Sequence, residues 1–139
     1  MPLELHQIEA GNYHIFIYVK VGRNKVRLLL DTGASKTAFD STQMQKLIHS
    51  THPDVQEMHS VGLGSSHVET QLKKLNSMRF GELKLQHVEV AVLDISHVNQ
   101  AYQMMGIPEI AGVLGSDILV LLKAVINLEK KTLSLKLKV

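Results

Sequence analysis

The run Val26-Arg27-Leu28-Leu29-Leu30-Asp31-Thr32-Gly33-Ala34-Ser35 constrains this chain more than any other stretch. Mostly apolar residues lead up to Leu30 and read as a buried strand, and a carboxylate then follows with no polar spacer. An ionised Asp buried without a partner is costly enough that it neutralises or finds one. Gly33 supplies the φ freedom of a tight turn and lets another backbone approach closely. The pattern predicts a strand ending in a compact loop that presents Asp31. Asp-X-Gly alone is an ordinary turn signal. The apolar run before it and Ala34-Ser35 after it set this copy apart.

The flanking segments place that loop in a β-rich domain. Leu3 to Ala10 has the pattern of a short edge strand. Tyr13, Ile15, Ile17, Val19 and Val21 share one face at period 2, while Phe16 and Tyr18 make the other face apolar as well, so this strand is expected to be covered on both sides. Gly22-Arg23-Asn24 then turns the chain into the strand that ends at Leu30. After Ser35, Lys36 to Phe39 continues as strand. Asp40 is set to cap a helix over Ser41–Ile48, with Gln43 completing a capping box and Met44, Leu47 and Ile48 as the buried face.

Val55 to Leu75 reads as strand, glycine-rich tip and strand, with Val61-Gly62-Leu63-Gly64-Ser65-Ser66 as the tip. It is not a phosphate loop, because the third glycine of a dinucleotide fingerprint and the lysine of a P-loop are both missing. Leu83 and Leu85 share one phase and Val88, Val90 and Val92 the other, which predicts a bulge near Gln86-His87. Val98, Tyr102 and Met105 have helical spacing, so Ser96 to Met105 reads as a small packed helix or lid. In Ile110 to Leu122 a short apolar strand reaches Gly115, and Ser116 or Asp117 can cap a helix of one or two turns. From Thr132 to Val139, Leu133, Leu135, Leu137 and Val139 alternate with polar residues, giving a strand that finishes the chain's own sheet or pairs with another subunit.

Length and composition remove several classes of function. The 139 residues suit one domain, 1–139, with a core of its own, and 45% hydrophobic against 20% charged residues is a globular balance. A formal charge of +2 with scattered Lys and Arg points to neither nucleic acid nor an anionic membrane as partner. The absence of cysteine excludes disulfides and thiol chemistry. Of the eight histidines only His49 and His52 are close together, and no recognised metal pattern follows, so no metal site is expected. Met1-Pro2-Leu3-Glu4-Leu5 has no signal-peptide character, which favours the cytoplasm.

With these pieces placed, the chain resembles a retropepsin-like aspartic protease, the single-domain form of the pepsin and retroviral protease superfamily. The resemblance rests on Leu28 to Ser35, on the hairpin tip at Gly62-Leu63-Gly64, and on Gly112-Val113-Leu114-Gly115-Ser116-Asp117-Ile118-Leu119, in the family's order. It covers roughly residues 13 to 139. It implies a mainly β fold, a closed β-barrel with one or two short helices and a flap hairpin. It implies that Asp31 is the catalytic carboxylate, that Thr32 bonds across to its counterpart, that Gly33 admits substrate, and that Ala34, Ser35 and Gly115 support the site. Gly62, Leu63, Gly64 and Ser65 would then form the substrate-covering flap. One Asp-Thr-Gly per chain, against a chemistry that needs two carboxylates sharing a proton, implies a homodimer cleaving peptides without cofactor or metal. The alternative function is a non-catalytic dimerisation or peptide-binding module on the same fold.

Overall fold

The computed structural model describes residues 1–51, 55–62 and 69–137, with side chains for 1–48 and 70–137. In chain order its elements are β1 (Glu4–Glu9), β2 (Asn12–Val21), β3 (Asn24–Leu30), β4 (Ala38–Asp40), α1 (Ser41–Thr51), β5 (Val55–Gly62), β6 (Glu69–Phe80), β7 (Leu83–Leu93), α2 (Ser96–Met104), β8 (Gly112–Leu114), α3 (Ser116–Leu121), β9 (Val125–Asn127) and β10 (Thr132–Ser134). The strand order β1-β2-β3-β8-β4-β7-β6-β5 is closed by a further pairing of β2 with β6, so the middle six strands form a barrel. Of the eight strands in this sheet β1 and β5 lie outside the barrel, closure protects the edges of the other six, and β9 and β10 pair separately.

Period-2 alternation decides what fills the barrel. Ile17, Val19 and Val21 of β2 point inward to join Leu28, Leu75 and Met78, each at most 2% exposed. Phe16 points the other way and is also fully buried, in a second cluster with Tyr102 and Ile110 beneath α2. The cover expected on both faces of β2 is therefore present at Phe16, whereas Tyr18 and Tyr13 remain exposed. That second cluster explains why the chain has three helices among its described residues rather than one or two. The helical spacing of Val98 and Tyr102 becomes α2 because it has an apolar face of the sheet to pack on.

Helix α1 begins as the capping pattern predicts. The Asp40 carboxylate accepts from the Gln43 N–H at 3.2 Å, and its other oxygen accepts from the Ile95 N–H at 2.9 Å. One buried Asp thus ties α1 to the start of α2. At the expected bulge the outcome differs. The β6–β7 ladder keeps one register through Leu75↔Val88 and Ser77↔Gln86. His87 instead adopts a left-handed conformation at φ 56°. The inward phase changes there in β7 and opposite it in β6, where burial passes from Leu75 to Met78, so neither strand slips.

The terminal strand is shorter than its alternation suggests. β10 pairs with β9 on one side and, through Leu3 N–H to Lys131 O (2.9 Å) and Leu133 N–H to Met1 O (2.8 Å), with the first residues on the other. Beyond Ser134 the chain leaves the ladder, and the Lys136 N–H donates to Leu122 O at 2.8 Å. The strand therefore completes the chain's own structure, burying Leu133 while leaving Leu137 exposed. Among the described residues no helix is long and apolar enough to cross a membrane.

Candidate active site

Three chain segments converge where β3 ends. β8 lies between β3 and β4, parallel to the first (Leu29↔Val113) and antiparallel to the second (Ala38↔Val113). The loop of residues 31–37 joins β3 to β4 and must therefore pass over the end of β8. There the Asp31 N–H donates to Leu114 O at 3.0 Å, and the Ser116 N–H donates to Ala34 O at 2.7 Å. The loop closes on itself through Ala34 N–H to Asp31 O, 3.1 Å, and Gly33 N–H to the Asp31 Oδ1, 3.0 Å.

Gly115 is what permits this crossing. A Cβ on it would stand 2.8 Å from Ala34 O and 2.9 Å from the Lys36 carbonyl carbon. Both are backbone atoms and cannot swing aside, so any side chain there lifts the loop. Thr37 locks the same crossing from the loop side. Its hydroxyl accepts from the Gly115 N–H at 3.0 Å and donates to the Asp117 Oδ1 at 2.7 Å, and the same oxygen accepts from the Thr37 N–H at 2.9 Å. Asp117 was expected to cap α3. It lies instead in the first turn, no side chain caps that helix, and its carboxylate reaches across to a fully buried threonine. Neither Thr37 nor this use of Asp117 carries a local signal, because the two residues are 80 positions apart.

Asp31 itself departs from the buried carboxylate anticipated from its strand. It is half-buried, Thr32, Gly33 and Ser35 are exposed, and Ala34 is half-buried. Its Oδ1 accepts from Gly33, while Oδ2 has no partner among the described residues. A cavity of 590 Å³ lies between α1 and α2, and Asp31 does not line it. Of the flap residues, Gly62 ends β5 opposite Glu69; Leu63, Gly64 and Ser65 lie outside the described residues.

On the face of the sheet that carries Asp31, α2 contributes a buried Tyr102, whose hydroxyl is 2.8 Å from the Nδ1 of His14. Burial pushes the Tyr102 phenol above its ordinary pKa, the Arg27 charge draws it back and the Asp31 charge pushes it up again. Arg27, itself buried, stacks 3.9 Å from the Phe16 ring centroid and pairs with Glu4. Among the described residues no group of three or more His, Asp or Glu side chains is placed to hold a metal ion.

Residues 17–118 match a family model described as aspartyl protease. No curated protein matches the chain. Among solved structures the chain is similar to the retroviral protease-like domain of Ddi1 from Leishmania major, with TM-score 0.58, 12% identity and 86% of each chain covered. It is similar to the EIAV protease complexed with the inhibitor HBY-793, with TM-score 0.55 and 20% identity over 81% of this chain and 91% of that one. A retropepsin-like aspartic protease from Rickettsia conorii follows, with TM-score 0.54 and 19% identity over 90% and 84%.

Proposed function

The chain belongs to the aspartyl protease family and has a retropepsin-like fold, and from that premise we propose that it is an aspartic endopeptidase active as a homodimer, with Asp31 as the catalytic residue of each subunit. The observation that carries this reading is the Asp31 loop: a half-buried carboxylate with one oxygen unpartnered among the described residues, held by backbone bonds from β8 and α3 and flanked by exposed Thr32, Gly33 and Ser35. One such carboxylate cannot serve as acid and base together. A second copy docked across a two-fold axis supplies the other, and covers the loop.

In the dimer the two Asp31 carboxylates retain one proton between them, because like charges a few Å apart do not both ionise readily. The ionised oxygen takes a proton from a shared water as that water attacks the peptide carbonyl. The protonated carboxyl polarises the carbonyl oxygen, and the proton then passes to the departing amine. Thr32, exposed beside the carboxylate, is placed to bond to the facing loop. An extended peptide gains binding energy from backbone pairing between this floor and the hairpin of β5 and β6, whose tip residues Gly62 to Ser65 serve as flap.

Asp31→Asn tests the reading. Pure variant should cleave no peptide, and mixtures with wild type should lose activity beyond simple dilution, since mixed dimers carry a damaged dyad. Undiminished cleavage by the pure variant removes Asp31 from the mechanism. A chain that remains monomeric at high concentration with peptide present, yet binds it, favours the non-catalytic peptide-binding module instead.

A further inference from the structure

The β2–β3 ladder ends at Phe16 opposite Leu29. Two residues beyond that last pair lie His14 on β2 and Asp31 just past the end of β3, at positions that share the alternation of Phe16 and Leu29. His14 is also paired with His6 of β1, and both it and Leu29 are only half-buried, so this row of the sheet stays open beside the carboxylate. The His14 ring does not turn freely. Its Nδ1 is bonded to the buried Tyr102 hydroxyl, and its ring packs edge-on against Tyr102 with centroids 5.7 Å apart. Phe16 packs edge-on against Tyr102 as well, at 5.6 Å, so the ring that holds His14 is itself held.

That arrangement leaves one nitrogen uncommitted. Nδ1 is engaged with Tyr102, and Nε2 has no partner among the described residues. The buried Tyr102 hydroxyl has no other partner among the described residues, so it satisfies its hydrogen by donating to Nδ1. The neutral imidazole then carries its hydrogen on Nε2, on the side away from Tyr102. The charged and titratable groups on this face are His6 and Glu4 of β1, Arg27 of β3, Asp31 just past its end, and Tyr102 of α2. Glu4 is already occupied, by His6 at 2.7 Å and by Arg27.

Resting on the proposed function, we infer that His14 is a specificity-determining residue of the peptide cleft. Its Nε2–H donates to an acceptor on a substrate side chain next to the cleaved bond, and Tyr102 is the positioning residue that aims it. The preferred side chains are those carrying a carboxylate or amide oxygen, Asp, Glu, Asn or Gln. A site built to satisfy a hydrogen bond discriminates against a substrate that leaves it unmade more sharply than an apolar pocket discriminates by size.

The experiment compares cleavage of a peptide library, read by mass spectrometry, by wild type, His14→Leu, His14→Gln and Tyr102→Phe. His14→Leu should lower kcat/KM for acceptor-bearing peptides by about ten- to a hundred-fold, and leave apolar peptides within about three-fold. His14→Gln, which keeps a donor, should recover part of the selectivity. Tyr102→Phe should reduce it by a smaller factor without changing the order of substrates. An equal loss on all peptides, or none, overturns the inference while the protease reading stands. Binding supplies the second readout. In Asp31→Asn, acceptor-bearing peptides should shift the NMR signals of the His14 imidazole more than apolar ones do. That shift in a protein whose wild type cleaves nothing retains the His14 contact and removes the catalytic reading; no cleavage and no shift overturns both.

Discussion

The loop that carries Asp31 and the segment beneath it are opposite in construction. Above, Thr32, Gly33 and Ser35 are exposed, and Asp31 has an oxygen without a partner among the described residues. Below, Leu114 is fully buried, and Gly115 and Asp117 bond to the buried Thr37 at the far end of the loop, about 80 residues away in the chain. The difference separates two tasks. A reactive carboxylate has to be left accessible, so its own side-chain bonds cannot hold it in place. Its position is instead dictated by backbone bonds to a floor that is packed and cross-linked by hydrogen bonds. Stability resides in the floor and, on the proposed function, chemistry in the loop.

That contrast can be broken by substitution. The largest effect is expected for Asp31→Asn, which should lower peptide cleavage at least about a thousand-fold while thermal unfolding stays within about 0.5 kcal/mol of wild type. A large loss of stability in this variant would place Asp31 in the floor rather than in the chemistry. Gly115→Ala should do the reverse and reach the loop through the fold, costing about 3 kcal/mol in chemical denaturation and reducing cleavage as well, since its Cβ meets the backbone of Ala34 and Lys36. Thr37→Val keeps the shape but removes the hydroxyl between Gly115 and Asp117, and should cost about 2 kcal/mol; Thr37→Ser should restore most of it.

The smallest expected effect is electrostatic and lies away from both regions. Burial pushes the Glu4 carboxyl up, but hydrogen bonds from His6 and Arg27, with their charges, outweigh it and hold the pKa below its ordinary value. A depressed carboxyl contributes stability above its unfolded pKa and loses it as pH falls through the folded one. Because Glu4 is 40% exposed, solvent screening keeps the contribution below about 1 kcal/mol. Glu4→Gln should therefore lower the melting temperature slightly at neutral pH and converge with wild type in acid, so that its acid limb is slightly flatter. A steeper acid limb in the variant would contradict this assignment of the pair.

Much of the fold is legible because its signals are local. The alternation from Tyr13 to Val21, the turn at Gly22, the Asp40 cap and the helix that follows it are set by neighbours a few residues away, and each appears where the pattern places it. Errors arose where a distant partner intervened. The alternation from Thr132 onward reads as one long strand, yet pairing stops at Ser134 because the next backbone donor is drawn to Leu122. The phase change at His87 reads as a one-strand bulge, yet the opposing strand changes phase with it. Asp117 reads as a cap because the sequence around it does not contain Thr37.

What the sequence determined by itself is the carboxylate, the turn that presents it and the strand that leads to it, since backbone sterics and the apolar run act within ten residues of Asp31. Only the tertiary structure decided how that turn is supported and what stands beside it. Insertion of β8 between β3 and β4 puts Gly115 under the loop, and packing of α2 on the outer face of the sheet aims His14 from Tyr102. These contacts join residues about eighty to ninety positions apart along the chain. Their formation depends on closure of the whole barrel, a cooperative event that no local stretch encodes.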